Sequence, residues 1–330
     1  MRLALFALIL SVTASAQTAW VIDTDAGSDD YLAIAYLLAK PNVRVEAITS
    51  VNGLSGAAAG ARMVARILTL AGRRDIPVYA GAERPLAGDR AFPAEWRKMS
   101  EHLPGVQLPA FTGSLAPETA EAFLTRRLAQ PVRILALGPL TNLAVVLRKH
   151  PALARNIQEL VIMGGAVNVK GNLKDGDLFK TTNEYAEWNI FIDPAAAAYV
   201  FTHVPAPIKL VPLDATNQVP VRAGHIRAFE RQAAHSALGR LATNILHLDE
   251  PMIQEGYYYA WDPLAAVAAA EPNFAAFTPV ALRVSEQPGE EGRTVAVQGR
   301  PNAQVMAKPD AARFHAEFLG AFSQSARGRR

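Results

Sequence analysis

Short apolar stretches of strand length alternate with longer, periodic apolar stretches of helix length along most of the chain. AWVID at residues 19–23 has the pattern of a buried strand, and DYLAIAYLLAK at residues 30–40 has that of a helix. Further strands are predicted at residues 43–51, 76–81, 132–138, 157–165 and 207–213, and further helices at residues 56–72 and 117–130. This alternation predicts an α/β fold with one doubly wound, mostly parallel sheet and flanking helices.

Two long polar stretches, residues 82–114 and 166–186, interrupt the alternation. Loops of that length in a compact α/β domain usually serve a function or are disordered. A few short strands follow towards the C-terminus, and a final helix is predicted from about residue 309. Because the chain shows no internal repeat and no linker, we expect residues 17–330 to form a single domain.

The N-terminus has the pattern of a secretory signal peptide. Arg2 precedes an apolar run from Leu3 to Val12, and Ala14 to Ala16 form an A-x-A cleavage motif. That run is too short to cross a bilayer as a helix. We therefore expect cleavage after Ala16 and an exported protein, periplasmic or secreted in a bacterium, without stable membrane association.

Composition and charge exclude several classes of function. The 330 residues include 33 Lys and Arg and 30 Asp and Glu, so the charge is nearly balanced and no nucleic-acid partner is indicated. The chain has no cysteine, which excludes disulfides, thiolate catalysis and metal–thiolate sites.

Residues 23–30, DTDAGSDD, place four carboxylates between the first predicted strand and the first predicted helix. Helix capping and the helix dipole account for Asp29 and Asp30. They do not account for Asp23 and Asp25, which lie at the carboxyl end of the strand, where ligands bind in such sheets. A hard cation with oxygen ligands would offset the mutual repulsion, and Ca²⁺ prefers such ligands.

Other cation and phosphate motifs fit this segment poorly. An EF-hand loop counted from Asp25 would need Gly at its sixth position and Glu at its twelfth. Here the sixth position is Asp30, and the twelfth is not Glu. A haloacid-dehalogenase-like phosphatase would need Thr or Val where Gly27 stands. Zinc is less favoured because the chain lacks a His-x-x-His or Cys pattern.

DTDAGSDD resembles the D-x-D-x-G-x-D-D signature of the nucleoside hydrolases, which cleave the N-glycosidic bond of ribonucleosides. Further segments are similar to blocks of that family and follow in family order: ALGPLTNLAVVLRKHP (136–151), VIMGGAV (161–167), AEWNIFIDPAAA (186–197), VPLDAT (211–216) and WDPLAAV (261–267). The resemblance covers most of residues 19–270. It implies a Ca²⁺ cofactor, a ribonucleoside substrate and a homodimer or homotetramer.

The resemblance also implies the residues of the site. The calcium ligands would be Asp25, Asp30, the backbone carbonyl of Thr141, and Asp262. The substrate-binding residues would be Asp29, Met163, Glu187, Asn189 and an additional Asn, for which Asn172 is the first choice and Asn183 the alternative. Asp23 would orient the loop. Asp25 would remove a proton from the attacking water, and Asp29 and Glu187 would favour positive charge on the sugar.

Trp261 stands where many family members have His as a general acid for the leaving base. In this respect the chain resembles the purine-preferring, inosine-adenosine-guanosine branch, and FPAEWR at residues 92–97 is similar to the loop of that branch. The resemblance assigns Glu95 and Trp96 to substrate binding, and Trp261 to catalysis. Two indoles would sandwich the purine, because their electron-rich faces favour a protonated base. The alternative is that both indoles only pack.

Two departures from the family pattern bear on base preference. Leu54 replaces a polar residue that faces the substrate in many relatives, and Gly27 stands where the purine branch often has Asn. Two rival functions stay open: a non-catalytic nucleoside-binding or ribose-binding protein of the cell envelope, and a hydrolase of another riboside.

Overall fold

The computed structural model describes residues 17–174, 181–233 and 235–323; the predicted signal peptide lies outside them. The strands are β1 (Thr18–Thr24), β2 (Val43–Ser50), β3 (Val78–Ala80), β4 (Val132–Ala136), β5 (Ile157–Met163), β6 (Ile208–Val211), β7 (Phe277–Val280), β8 (Leu282–Val284), β9 (Thr294–Ala296) and β10 (Ala303–Met306). The helices are α1 (Ser28–Ala39), α2 (Ala57–Leu70), α3 (Ala94–His102), α4 (Ala120–Arg127), α5 (Thr141–Lys149), α6 (Trp188–Ile192), α7 (Pro194–His203), α8 (Leu213–Thr216), α9 (Ala223–Gln232), α10 (Ala237–Leu248), α11 (Glu250–Glu255), α12 (Trp261–Ala270) and α13 (Ala311–Ser323), with a 3-10 helix at Pro151–Asn156.

Eight strands form one sheet in the order β3-β2-β1-β4-β5-β6-β10-β7. Neighbouring strands are parallel except β7, which runs antiparallel to β10, and β8 and β9 form a separate antiparallel pair. The predicted doubly wound, mostly parallel sheet is confirmed. Strand order reverses between β1 and β4, which creates the crevice where ligands of such sheets bind.

Helices cover both faces of the sheet, so its central strands are buried on both sides. Apolar residues of α1, α2, α10, α12 and α13 pack in one core, and those of α4, α5 and α7 pack in the other. This double burial explains why the central strands are apolar runs rather than alternating patterns. None of the described helices combines the length and the apolar character needed to cross a membrane.

The long polar stretch at residues 82–114 contains a helix that the apolar pattern did not predict. This helix, α3, buries only Ser100, so it has almost no apolar face to read from the sequence. Carboxylates hold the stretch in place: Glu83 accepts hydrogen bonds from the backbone N–H groups of Ala57 and Ala58, and Glu101 accepts one from Gly56. The start of α2 is therefore capped by side chains that come from this stretch.

Candidate active site

The loop after β1 and the start of α5 meet at the switch point of the sheet. Asp23 pairs with Ala136 across β1 and β4, which brings the chain that follows each strand together. Gly53 and Gly138 both lie against Asp25. A Cβ atom on Gly53 would lie 2.0 Å from Asp25 Oδ2, and one on Gly138 would lie 2.7 Å from Asp25 Cβ. Only glycine at these two positions lets the neighbouring loops close around the Asp25 carboxylate.

Four buried carboxyl groups lie together in this crevice, those of Asp25, Asp29, Asp30 and Asp262. Oxygens of Asp29, Asp30 and Asp262 lie within 4.8 Å of one another. Burial raises the pKa of all four groups, and the charge of Asp30 raises the pKa of Asp25, Asp29 and Asp262 further. Hydrogen bonds from Thr24, and with Asp25 and Asp262, partly oppose the burial effect on the pKa of Asp30.

This cluster fits a hard cation. Within the described ranges, none of the four carboxylates forms an ion pair with Lys, Arg or His. Buried like charges without a cationic partner repel, and oxygen donors of this kind are the ligands that Ca²⁺ takes. The three carboxylates whose oxygens lie within 4.8 Å of one another include Asp29, which the resemblance assigns to sugar binding. The carboxylate of Asp29 therefore lies close enough to contact either the cation or the sugar.

A tight turn after β1 orients Asp30. The hydroxyl of Thr24 donates to Asp30 Oδ1, and the backbone N–H of Gly27 donates to Oδ2 at 2.8 Å. Ala26 adopts a left-handed conformation, with φ of 61°, and its N–H donates to the Thr24 hydroxyl at 3.1 Å. The carboxylate of Asp30 is thus held by a hydrogen bond on each of its two oxygens.

Asp23 fixes the end of β1, directly before the loop that carries Asp25. Its Oδ1 accepts hydrogen bonds from Thr49 Oγ1 at 2.6 Å and from Asn142 Nδ2 at 2.8 Å. Burial raises its pKa to about 7, against the lowering effect of these two bonds. These contacts join β1, β2 and α5, which agrees with the loop-orienting role that the resemblance implies.

Glu187 and Asn189 lie at the start of α6, and Met163 is the last residue of β5. Glu187 accepts hydrogen bonds from the backbone N–H groups of Asn189 and Gly165, both at 2.9 Å. Asn189 Nδ2 donates to the carbonyl of Leu137 at 3.0 Å and to that of Met163 at 3.3 Å. Burial raises the pKa of Glu187 to about 7. Both side chains are fixed by backbone groups at the carboxyl ends of β4 and β5.

The two candidates for the additional Asn make different contacts. Asn183 Oδ1 accepts hydrogen bonds from Tyr185 and Ala186, and its Nδ2 donates to the carbonyl of Glu291. Asn172 Oδ1 accepts one from the N–H of Trp188 at 3.2 Å, directly beside Glu187. Asn183 therefore holds its own loop together, whereas Asn172 lies beside Glu187.

The two candidate base-stacking indoles lie on different elements. Trp96, on α3, is half-buried and meets Trp188 edge-on with ring centroids 5.6 Å apart. Trp261 is the first residue of α12, directly before Asp262, and meets Tyr258 edge-on at 5.3 Å. Each indole is therefore held by another aromatic ring. Glu95 is exposed, in the first turn of α3.

Leu54 contributes to the site through its backbone. Its N–H donates to Asp25 Oδ2 at 2.9 Å, and its side chain packs against the same apolar cluster as Trp96. The replacement of the usual polar residue thus places an apolar side chain in this cluster and keeps the backbone contact to Asp25.

Sequence reasoning missed three buried groups next to the site, Asp193, Asp249 and Tyr258. Asp193 accepts a hydrogen bond from the hydroxyl of Thr141. The charge of Asp249 raises the pKa of Asp29, and burial raises that of Asp249 itself to about 6. Asp193 and Asp249 each stand just before a Pro in the sequence, in the segments IDP and LDEP. An Asp followed by Pro is typical of the start of a helix, so the sequence indicated only a capping role for these two residues.

Comparison with known proteins gives consistent matches. The family model described as inosine-uridine preferring nucleoside hydrolase matches residues 20–316. The pyrimidine-specific ribonucleoside hydrolase RihA of Citrobacter koseri is 39% identical over 214 residues, which are 63% of this chain; the chain spans 64% of the length of that relative. RihA of Salmonella gallinarum is 34% identical over 315 residues, covering 89% of this chain and 94% of that relative.

A solved structure is also similar over nearly its whole length. The purine-preferring ribonucleoside hydrolase from Gardnerella vaginalis superposes with a TM-score of 0.81 and 26% identity, covering 93% of this chain and 98% of that one. Relatives with opposite base preferences therefore share this fold.

Proposed function

The chain belongs to the inosine-uridine preferring nucleoside hydrolase family, and from this we propose that it hydrolyses the N-glycosidic bond of ribonucleosides at a calcium site. One observation carries the proposal. The buried carboxylates of Asp25, Asp30 and Asp262 converge at the switch point of the sheet. Glu187 and Asn189, at the start of α6, would supply the oxygens and the amide that a ribose needs.

Each group has a separate task in this proposal. Asp25, Asp30, Asp262 and the carbonyl of Thr141 would hold Ca²⁺, which when bound acidifies a water and fixes its position. Asp25 removes the proton of the attacking water. Asp29 and Glu187 bind sugar hydroxyls, and negative charge near the ring favours the oxocarbenium-like transition state. Asn189 keeps the sugar aligned with the water.

For the leaving group we favour a purine. Trp261, next to Asp262, and Trp96 offer indole faces, and an electron-rich face stabilises a base as it becomes protonated. The second candidate is a pyrimidine, which is favoured by the similarity to the pyrimidine-specific RihA enzymes.

A panel of purine and pyrimidine ribonucleosides, with chromatography of the released base, tests the proposal. We expect inosine, adenosine or guanosine to be cleaved with kcat/KM at least about tenfold above uridine and cytidine, since base–aromatic stacking contributes about 1–3 kcal/mol per base. Efficient cleavage of uridine would favour the pyrimidine candidate instead. Binding of nucleosides without release of base would indicate a non-catalytic binding protein, and cleavage of only other ribosides would point to the remaining alternative.

Replacing Trp261 by Ala separates stacking from packing. We expect kcat on inosine to fall by at least about tenfold, because the departing base loses the face that favours its protonation. The same variant should lose little activity on p-nitrophenyl riboside, whose leaving group needs no proton. Equal losses on both substrates would mean that Trp261 serves only to place Asp262.

A further inference from the structure

Asp193 is a buried carboxylate that joins three separate segments of the chain. Its Oδ2 accepts hydrogen bonds from Thr141 Oγ1 and from the backbone N–H of Leu86, both at 2.7 Å. Its Oδ1 accepts one from the N–H of Ala196 at 3.1 Å, in the first turn of α7. The side chain has no exposed surface. One carboxylate therefore connects the start of α5, the long stretch before α3, and the start of α7.

The neighbouring residue Asn142 makes a parallel connection. Its Nδ2 donates to Asp23 Oδ1 at 2.8 Å, and its Oδ1 accepts a hydrogen bond from the N–H of Ala82 at 2.9 Å. Thr141 and Asn142, in the first turn of α5, therefore each donate a hydrogen bond to a buried carboxylate, Thr141 to Asp193 and Asn142 to Asp23. Both are also linked to residues 82–86, which begin the stretch that carries Trp96.

Helix capping alone does not account for Asp193. Asp310 shows what a simple cap needs: it is exposed, and its Oδ1 accepts a hydrogen bond from Arg313 N at 2.9 Å. Full burial of a carboxylate is costly unless its hydrogen bonds are made, and burial raises the pKa of Asp193. The donors that satisfy Asp193 beyond its own helix are those of Thr141 and Leu86.

We propose that Asp193 is a positioning residue that ties the calcium site to the segment that presents Trp96. It holds the hydroxyl of Thr141, the residue whose carbonyl is assigned to Ca²⁺, and the N–H of Leu86 at the start of that segment. This inference rests on the proposed function. Residues that orient the ligands of a metal usually change its affinity by about 10–100-fold when they are replaced.

The test is calorimetric titration of the folded protein with Ca²⁺, without nucleoside. Asp193→Asn replaces one acceptor oxygen of the carboxylate by an NH₂ group, which donates hydrogen bonds instead of accepting them. Because Asn is a good helix cap, we expect the start of α7 to be preserved. We expect the Kd for Ca²⁺ to rise about 10–100-fold. At saturating Ca²⁺, KM for the nucleoside should stay raised, because the Trp96 segment is loosened, while kcat should recover to within a few-fold.

Three further variants make the result interpretable. Thr141→Val removes only the hydroxyl and should raise the Kd as Asp193→Asn does, whereas Thr141→Ser keeps the hydroxyl and should bind Ca²⁺ almost like the unmodified protein. Asp310→Asn, the matched helix-cap control, should leave the Kd unchanged.

Separate outcomes overturn the separate proposals. If Asp193→Asn and Thr141→Val lowered the melting temperature and kept the Kd within about twofold, Asp193 would be only structural. If the unmodified protein bound Ca²⁺ but cleaved no riboside, the proposed function would fail while the Kd comparison still decided the role of Asp193. If the unmodified protein bound no Ca²⁺, both proposals would fail.

Discussion

Replacing Asp25 by Asn is expected to lower kcat by at least about 10³-fold. The substitution removes the proposed general base, which alone contributes about 10²–10⁴-fold in enzymes. It also removes one charge from the proposed calcium site. Single-turnover and steady-state assays on the best nucleoside of the panel, at saturating Ca²⁺, measure the loss. A variant that kept more than about a tenth of kcat would exclude Asp25 as the base.

Thermal unfolding shows whether that loss reflects chemistry or misfolding. Asn keeps an oxygen that can accept the N–H of Leu54, as Asp25 Oδ2 does now at 2.9 Å. Because burial and the charge of Asp30 raise the pKa of Asp25, the neutral amide also relieves repulsion. The calcium-free variant should therefore melt no lower than the calcium-free unmodified protein. A large drop in melting temperature would mean that the activity loss reports folding.

Removal of calcium is expected to abolish hydrolysis and to lower the melting temperature. The carboxylates of Asp25, Asp29, Asp30 and Asp262 are buried together without an ion pair in the described structure, so they repel once the cation is gone. Calcium at about 100 times its Kd should stabilise the folded protein by about 2.7 kcal/mol. Exhaustive chelation, followed by assay and melting with and without added Ca²⁺, provides the measurement. Undiminished activity in a verified metal-free sample would refute the calcium site.

The pH dependence of this stabilisation has a definite sign. The pKa of each of the four carboxyls is raised in the folded protein, so without metal the folded state binds more protons than the unfolded state over the window above the unfolded pKa of 3.8. Their contribution to stability is present at low pH and is lost as pH rises through the folded pKa values. Calcium requires the deprotonated groups, so its affinity rises with pH.

We therefore expect the difference in melting temperature between calcium-loaded and chelated protein to grow between about pH 5 and pH 8. Taking a difference removes the effect of groups elsewhere, such as His315, whose pKa burial lowers to about 4. A difference that shrank with rising pH would contradict the assignment of the cluster.

The sequence predicted the sheet well because its strands are buried on both faces and therefore strongly apolar. It predicted α3 poorly, since that helix buries only Ser100, and its Glu101 accepts a hydrogen bond from Gly56, which precedes α2. Local pattern reports burial, whereas contacts between segments distant in sequence leave no periodic trace.

In the candidate site, too, local motifs predicted some residues, and contacts between distant segments were needed to find others. Asp25, Asp29, Asp30 and Asp262 stand in recognisable motifs, and the structure brings them together. Asp193 could not be assigned beyond capping, because its contacts to Leu86 and Thr141 span 107 and 52 residues. The sequence around an Asp that accepts hydrogen bonds from two helices and a loop does not differ from that around an Asp that caps a single helix.

The glycines around Asp25 divide the pocket into fixed and adjustable positions for protein engineering. Gly53 and Gly138 leave no room for a Cβ beside Asp25, so libraries at these positions would return only glycine. Leu54, next to Gly53, contributes its backbone N–H to Asp25 and turns its side chain to the cluster that includes Trp96. We therefore expect substitutions at residue 54 to change base preference while they leave the backbone contact to the proposed base Asp25 in place.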